Sequence, residues 1–114
     1  MIIKIMDKKI YNQVIERAKG QCEVCGSRTG LEVHHIIQGR GKRKQNERIE
    51  TLILLCYECH RGTNGVHGKN GKELNIKLKK QLQEYYFKQG YTEEETRKLV
   101  FLFFHFVFFS PFLV

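Results

Sequence analysis

All four cysteines of the chain fall into two clips, Cys22-x-x-Cys25 and Cys56-x-x-Cys59. Two intervening residues let both thiolates of a clip face one ion in a tight turn. Two such clips complete the tetrahedral four-sulfur set of a closed structural zinc site. The alternatives are a pair of redox dithiols or cysteines without a metal. A redox Cys-x-x-Cys usually sits beside a βαβ pattern, and none is visible here. Zinc would contribute folding free energy on the order of 10 kcal/mol, a decisive amount for a small domain that buries only a modest fraction of its surface. The thirty residues between the clips exceed the usual ribbon spacing, so something is inserted between them.

That insertion and its immediate sequel hold four of the five histidines: His34, His35, His60 and His67. If Cys25 and Cys56 share one ion, His34 and His35 are drawn towards His60 and His67. Adjacent residues of a strand point to opposite faces, so the imidazoles of His34 and His35 should do different jobs. The bland alternative is a surface His-His pair and two loop histidines that cap the knuckle. The charge balance bears on the choice. Twenty Lys and Arg face twelve Asp and Glu, giving +8 and a pI near 9.5. So basic a small domain suits a polyanion, most simply nucleic acid. Neutral imidazoles beside a basic surface suit a divalent cation and a phosphodiester, with one histidine deprotonating water.

The elements that must position these residues form a small α+β pattern. Ile10, Val14, Ile15 and Ala18 recur at helical spacing over residues 8–19, and Gly20 supplies a stop. Residues 31–37, rich in β-branched side chains and bounded by Gly30 and Gly39, read as a short strand. A polar loop follows to Glu50, and between Arg40 and Arg48 it holds Arg40, Lys42, Arg43, Lys44 and Arg48 with one acid, Glu47. Arg40, Lys42, Arg43 and Lys44 could track phosphates with sequence-independent affinity. Thr51 to Leu55 is an apolar run into the second clip. Residues 61–71 carry four glycines and two asparagines, which predicts a loop with special backbone demands. Leu74, Leu78, Leu82 and Tyr85 make one apolar stripe of a helix over about 73–89, with Lys77, Lys79 and Lys80 read as its solvent face. Thr92-Glu93-Glu94-Glu95 has the capping-box form for a short third helix to about Val100.

At this point the ordered motifs resemble a family. Cys22-Glu23-Val24-Cys25-Gly26, then Leu31-Glu32-Val33-His34-His35-Ile36, then Leu52-Ile53-Leu54-Leu55-Cys56-Tyr57-Glu58-Cys59-His60 are similar to HNH endonucleases of the zinc-containing, phage-associated type. The continuation from Arg61 to Gly68 also resembles phage members. The resemblance covers about residues 10–70. It implies a ββα-metal (His-Me finger) core in which a hairpin and a helix grip one catalytic divalent ion, whether magnesium, manganese, nickel or zinc. By that match His35 is the general base. His34 is the first metal ligand, where many relatives have Asp, and His60 and His67 are the remaining ligands. Relatives often space those last two more closely than the six residues here. Relatives also place Asn five residues before the third cysteine, to orient the base or pin the loop. Thr51 stands there, with a shorter reach and one donor.

The expected organisation is one HNH nuclease domain over 1–100, with its core at about 10–70, C-terminal helices at about 73–100, and an apolar tail over 101–114. The tail holds seven of the eight phenylalanines and is shorter than the roughly 20 apolar residues of a membrane span. It is assigned no function, and its abrupt composition reads best as a degenerate terminus. Residues 1–6 are too short for a signal-peptide core. The expected setting is therefore the cytoplasm of a bacterial or phage-infected cell, where cysteines bind metal more readily than they form disulfides. The expected partner is DNA, without a small-molecule cofactor or a membrane. The competing reading is a catalytically weak zinc-knuckle DNA-binding protein. A redox or zinc-storage protein would leave the histidines unexplained.

Overall fold

The computed structural model describes residues 7–37 and 47–100. Helix α1 (Lys8–Ala18) starts where the Asp7 carboxylate accepts hydrogen bonds from the Lys9 and Ile10 amides. It ends on left-handed backbone at Lys19 and Gly20. Strand β1 (Glu32–His35) pairs antiparallel with β2 (Leu52–Leu55), and a 3-10 turn (Ile49–Thr51) leads into β2. Three helices follow: α2 (Tyr57–Arg61), α3 (Lys72–Lys88) and α4 (Glu93–Leu99). The sequence pattern anticipates α1, β1, α3 and α4. The five residues of α2 are too few to show a helical repeat, and their start is marked instead by the Cys56 sulfur accepting from the Cys59 amide.

Strand β2 is apolar on both faces because both are covered. Leu52 and Leu54 pack with Val14 of α1, and Ile10, Ile15 and Ala18 gather around them. Ile53 and Leu55 face the other way, into a cluster with Ile36, Ile37, Val66, Leu78, Leu82, Tyr86 and Val100. A continuous apolar run is the pattern expected of a strand buried on both sides.

Arg17 and Glu23 fasten this sandwich. Arg17 pairs through Nε and Nη2 with the two oxygens of Glu23 at 3.0 and 2.7 Å, and also donates to the Ile49 and Leu52 carbonyls. Glu23 accepts from the Leu54 amide and donates its own amide to the Leu54 carbonyl. The first cysteine clip is thereby hydrogen-bonded onto β2.

The stripe of α3 differs from expectation at its end. Tyr86 is buried and Tyr85 is 43% exposed. The four-residue row Leu74, Leu78, Leu82 thus continues to position 86. There the Tyr86 hydroxyl accepts from Arg48 and donates to Glu50, so a buried polar group is satisfied. Lys79 is not on a plain solvent face either. It is half-buried, and burial lowers its pKa.

The glycine-rich stretch has an ordered design. Gly62, Gly65, Gly68 and Gly71 recur every third residue, and Gly65, Gly68 and Gly71 each donate an amide hydrogen bond to the glycine carbonyl before them. This coil folds back along α2, where the Val66 and His67 amides bond the Cys59 and His60 carbonyls, and within the coil the Asn70 amide bonds the Thr63 carbonyl. Side chains do not fit the inner positions. A Cβ at Gly65 would lie 2.5 Å from the Glu58 carbonyl oxygen, and one at Gly68 would lie 1.8 Å from that of Gly62. Gly68→Ala should therefore destabilise the fold by about 3 kcal/mol, near the upper end of ordinary single substitutions, and a denaturant titration would measure the shift. An unchanged midpoint would contradict the tight coil.

Candidate metal centres

The four cysteines form one cluster in which each sulfur lies within 4.8 Å of the others. Cys25 Sγ and Cys56 Sγ are 3.6 Å apart. Zinc–sulfur bonds of about 2.3 Å in a tetrahedron put sulfurs roughly 3.8 Å apart, so the spacing suits one shared ion. It is far beyond the ~2.05 Å of a disulfide. The backbone also supports thiolates, because the Val24 and Cys25 amides point at Cys22 Sγ. Burial pushes the Cys22 thiol up, but the hydrogen bonds from the Cys25 and Val24 backbone outweigh it and bring the thiol down to about 7. Cys59 is pushed well up by burial and by its neighbouring thiols. Thiols crowded in this way cannot all ionise without a cation, and a dication supplies the missing charge. The donor set fits a structural metal.

The histidines divide as strand alternation requires. His34 lies across from Ile53 and His35 from Leu52, and each pair shares a face. On the Ile53 face, His34 meets His60 from α2 and His67 from the glycine coil. The three ring centroids are 4.7 to 5.3 Å apart. Each histidine offers one nitrogen within 4.8 Å of the others. Burial first, then the neighbouring His60 and His67, depress the pKa of His34 to about 3. It is therefore a neutral donor at any ordinary pH, as a metal ligand must be. The longer gap between His60 and His67 is absorbed by the coil, since the His67 amide bonds the His60 carbonyl at 2.9 Å.

His35 is not part of that trio. On the other face its Nε2 lies 3.0 Å from the Glu47 carboxylate. Thr51 joins the two segments that carry this pair. Its carbonyl accepts from the Ile36 amide, next to His35. Its hydroxyl donates to the Arg48 carbonyl and accepts from the Arg48 amide, next to Glu47. Arg40, Lys42, Arg43 and Lys44, the expected phosphate-tracking loop, lie outside the described residues, as does the tail over 101–114.

Residues 22–64 match the HNH endonuclease family model. The matched HNH segment contains both cysteine clips, His34, His35, Thr51 and His60, and it ends before His67. The HNH part of the resemblance read from the motifs is thus shown over this segment, and nuclease activity on nucleic acid is implied at the level of the family. No curated protein matches the chain significantly. Among the described residues, no helix is long and apolar enough to cross a membrane.

Two residues in contact with these histidines, Glu32 and Glu47, escaped the sequence reading, although signals for both exist. Glu32 precedes His34 by two positions and so shares its strand face. Glu47 is the one acid among the basic residues of its loop.

Cys56→Ala should release the metal and unfold the domain, given structural-zinc free energies on the order of 10 kcal/mol. Zinc content and circular dichroism of the purified variant would report both losses together. A folded variant would show that the cluster is not a folding requirement.

Proposed function

We propose that the protein is a metal-dependent endonuclease that hydrolyses DNA phosphodiester bonds, by nicking or double-strand cutting and with little sequence preference. The observation that carries this reading is the convergence of His34, His60 and His67 on one face of a hairpin strand whose next residue, His35, faces a carboxylate. In this reading β1, β2 and α2 are the ββα-metal core, residues 1–100 make one nuclease domain, and the four cysteines hold structural zinc.

A divalent ion among the three histidines would supply charge stabilisation to the phosphate and the leaving oxygen. His35 accepts the proton of the attacking water. Glu47 fixes its ring and stabilises the imidazolium that results. Thr51 is a positioning residue that holds the His35 and Glu47 segments together, and so it pins the loop in the way attributed to the family's Asn. The basic loop with Arg40, Lys42, Arg43 and Lys44 supplies affinity for the phosphate backbone. The reducing interior of a cell suits the free cysteines.

Thr51 also favours the second reading, a weakly active zinc-knuckle DNA-binding protein. Its hydroxyl bonds Arg48, and it has no amide with which to reach His35.

Nicking of supercoiled plasmid with magnesium or manganese, and with EDTA as control, separates the two. The expected result is metal-dependent cleavage by the parent that falls about 10²–10⁴-fold in His35→Ala, with zinc content retained. Equal rates would exclude His35 as the base. DNA retention by a zinc-loaded parent that never cleaves would favour the binding protein.

A further inference from the structure

We propose that Glu32 is the positioning residue of the three-histidine centre, holding His60 at Nδ1 so that Nε2 is presented to a divalent cation. The inference rests on the metal-site part of the function proposed above and concerns a residue to which that proposal gives no role.

Strand alternation first puts Glu32 on the His34 face, across from Leu55 and next to α2. One carboxylate oxygen, Oε1, then lies 2.5 Å from His60 Nδ1 and accepts from Arg61 Nε at 3.0 Å. The ring so held is buried, with His60 5% exposed. A buried imidazole nitrogen requires a partner, and a carboxylate makes Nδ1 the protonated one. The lone pair is then on Nε2, the nitrogen this proposal assigns to a cation shared with His34 and His67. The same contact makes the imidazole a stronger donor. Carboxylate partners of this kind behind metal-bound histidines typically change metal affinity 10- to 100-fold when removed.

Arg61 completes the arrangement. It holds Glu32 from the solvent side, its Nε donating to the same oxygen, Oε1, that faces His60 Nδ1. Glu32 is not itself one of the clustered donors, which are the three histidines alone among the described residues. It stands behind one ligand and in contact with the residue that follows it.

The test is a manganese titration of the zinc-loaded protein, followed by the spin-resonance signal of free Mn²⁺. The parent, His34→Ala, Glu32→Ala, Glu32→Gln and Arg61→Ala are compared, with zinc content and circular dichroism as controls for folding. The expected result is one bound Mn²⁺ in the parent that is lost in His34→Ala. Glu32→Ala should weaken it roughly 10- to 100-fold. Glu32→Gln keeps an acceptor for Nδ1–H but not the charge, and should fall between. Arg61→Ala should have the smallest effect. A merely structural role would leave Mn²⁺ affinity unchanged in any folded variant. Parent-like affinity in a folded Glu32→Ala, or in Glu32→Gln where the alanine variant does not fold, overturns the proposal. So does a parent whose Mn²⁺ binding does not depend on His34. A parent that binds Mn²⁺ through His34 and loosens it in the Glu32 variants, yet never nicks DNA, would leave this inference standing and refute the nuclease.

Discussion

Everything in the domain is arranged around the cross-link between two distant cysteine clips. Four thiols held within 4.8 Å of one another oppose one another's ionisation, and a shared dication would turn that conflict into a tether. The tether joins the turn after α1 to the start of α2. Its second clip ends at Cys59, so the residue that follows, His60, takes its position from where the two clips meet. The short helix α2 could not hold that position unaided, since helices of this length are unstable in isolation.

The second constraint is the burial of β2 on both faces. Leu52 and Leu54 are committed to α1, and Ile53 and Leu55 to α3 and the coil. A slip of one residue in the hairpin would exchange these faces. It would also exchange His34 and His35, sending the His34 imidazole away from His60 and the other imidazole into the trio. The packing of four aliphatic side chains therefore fixes which histidine meets His60 and His67. The Arg17–Glu23 clamp and the Thr51 hydrogen bonds hold the same register from outside the sheet.

Much of this was legible in the sequence. The two clips announced a four-cysteine cluster, strand alternation separated the faces of His34 and His35, helical spacing located α1 and α3, and a capping box located α4. The end of the α3 stripe was misread at Tyr85, because an aromatic at either 85 or 86 satisfies a helical pattern and only the Arg48–Glu50 pair chooses between them. The closeness of His60 and His67 was not legible from their spacing. It depends on hydrogen bonds between residues seven apart, made possible by glycines whose regular interval is visible but whose packing partners are not. Glu32 meets His60 and Arg61, and Glu47 meets His35, through contacts that cross long stretches of chain, and a linear pattern carries no distance. The family match, which spans residues 22–64, agrees with the motifs that suggested it.

The central claim is that this chain holds two separate metals, one in thiolates and one in imidazoles, with the second beside His35. The most direct measurement is an anomalous-scattering map of crystals of the zinc-loaded protein soaked in Mn²⁺, recorded at the zinc and manganese edges. The account predicts a zinc peak enclosed by Cys22, Cys25, Cys56 and Cys59, and a distinct manganese peak bound by His34, His60 and His67. Manganese bound away from these histidines, or zinc absent from the cysteines, would contradict it.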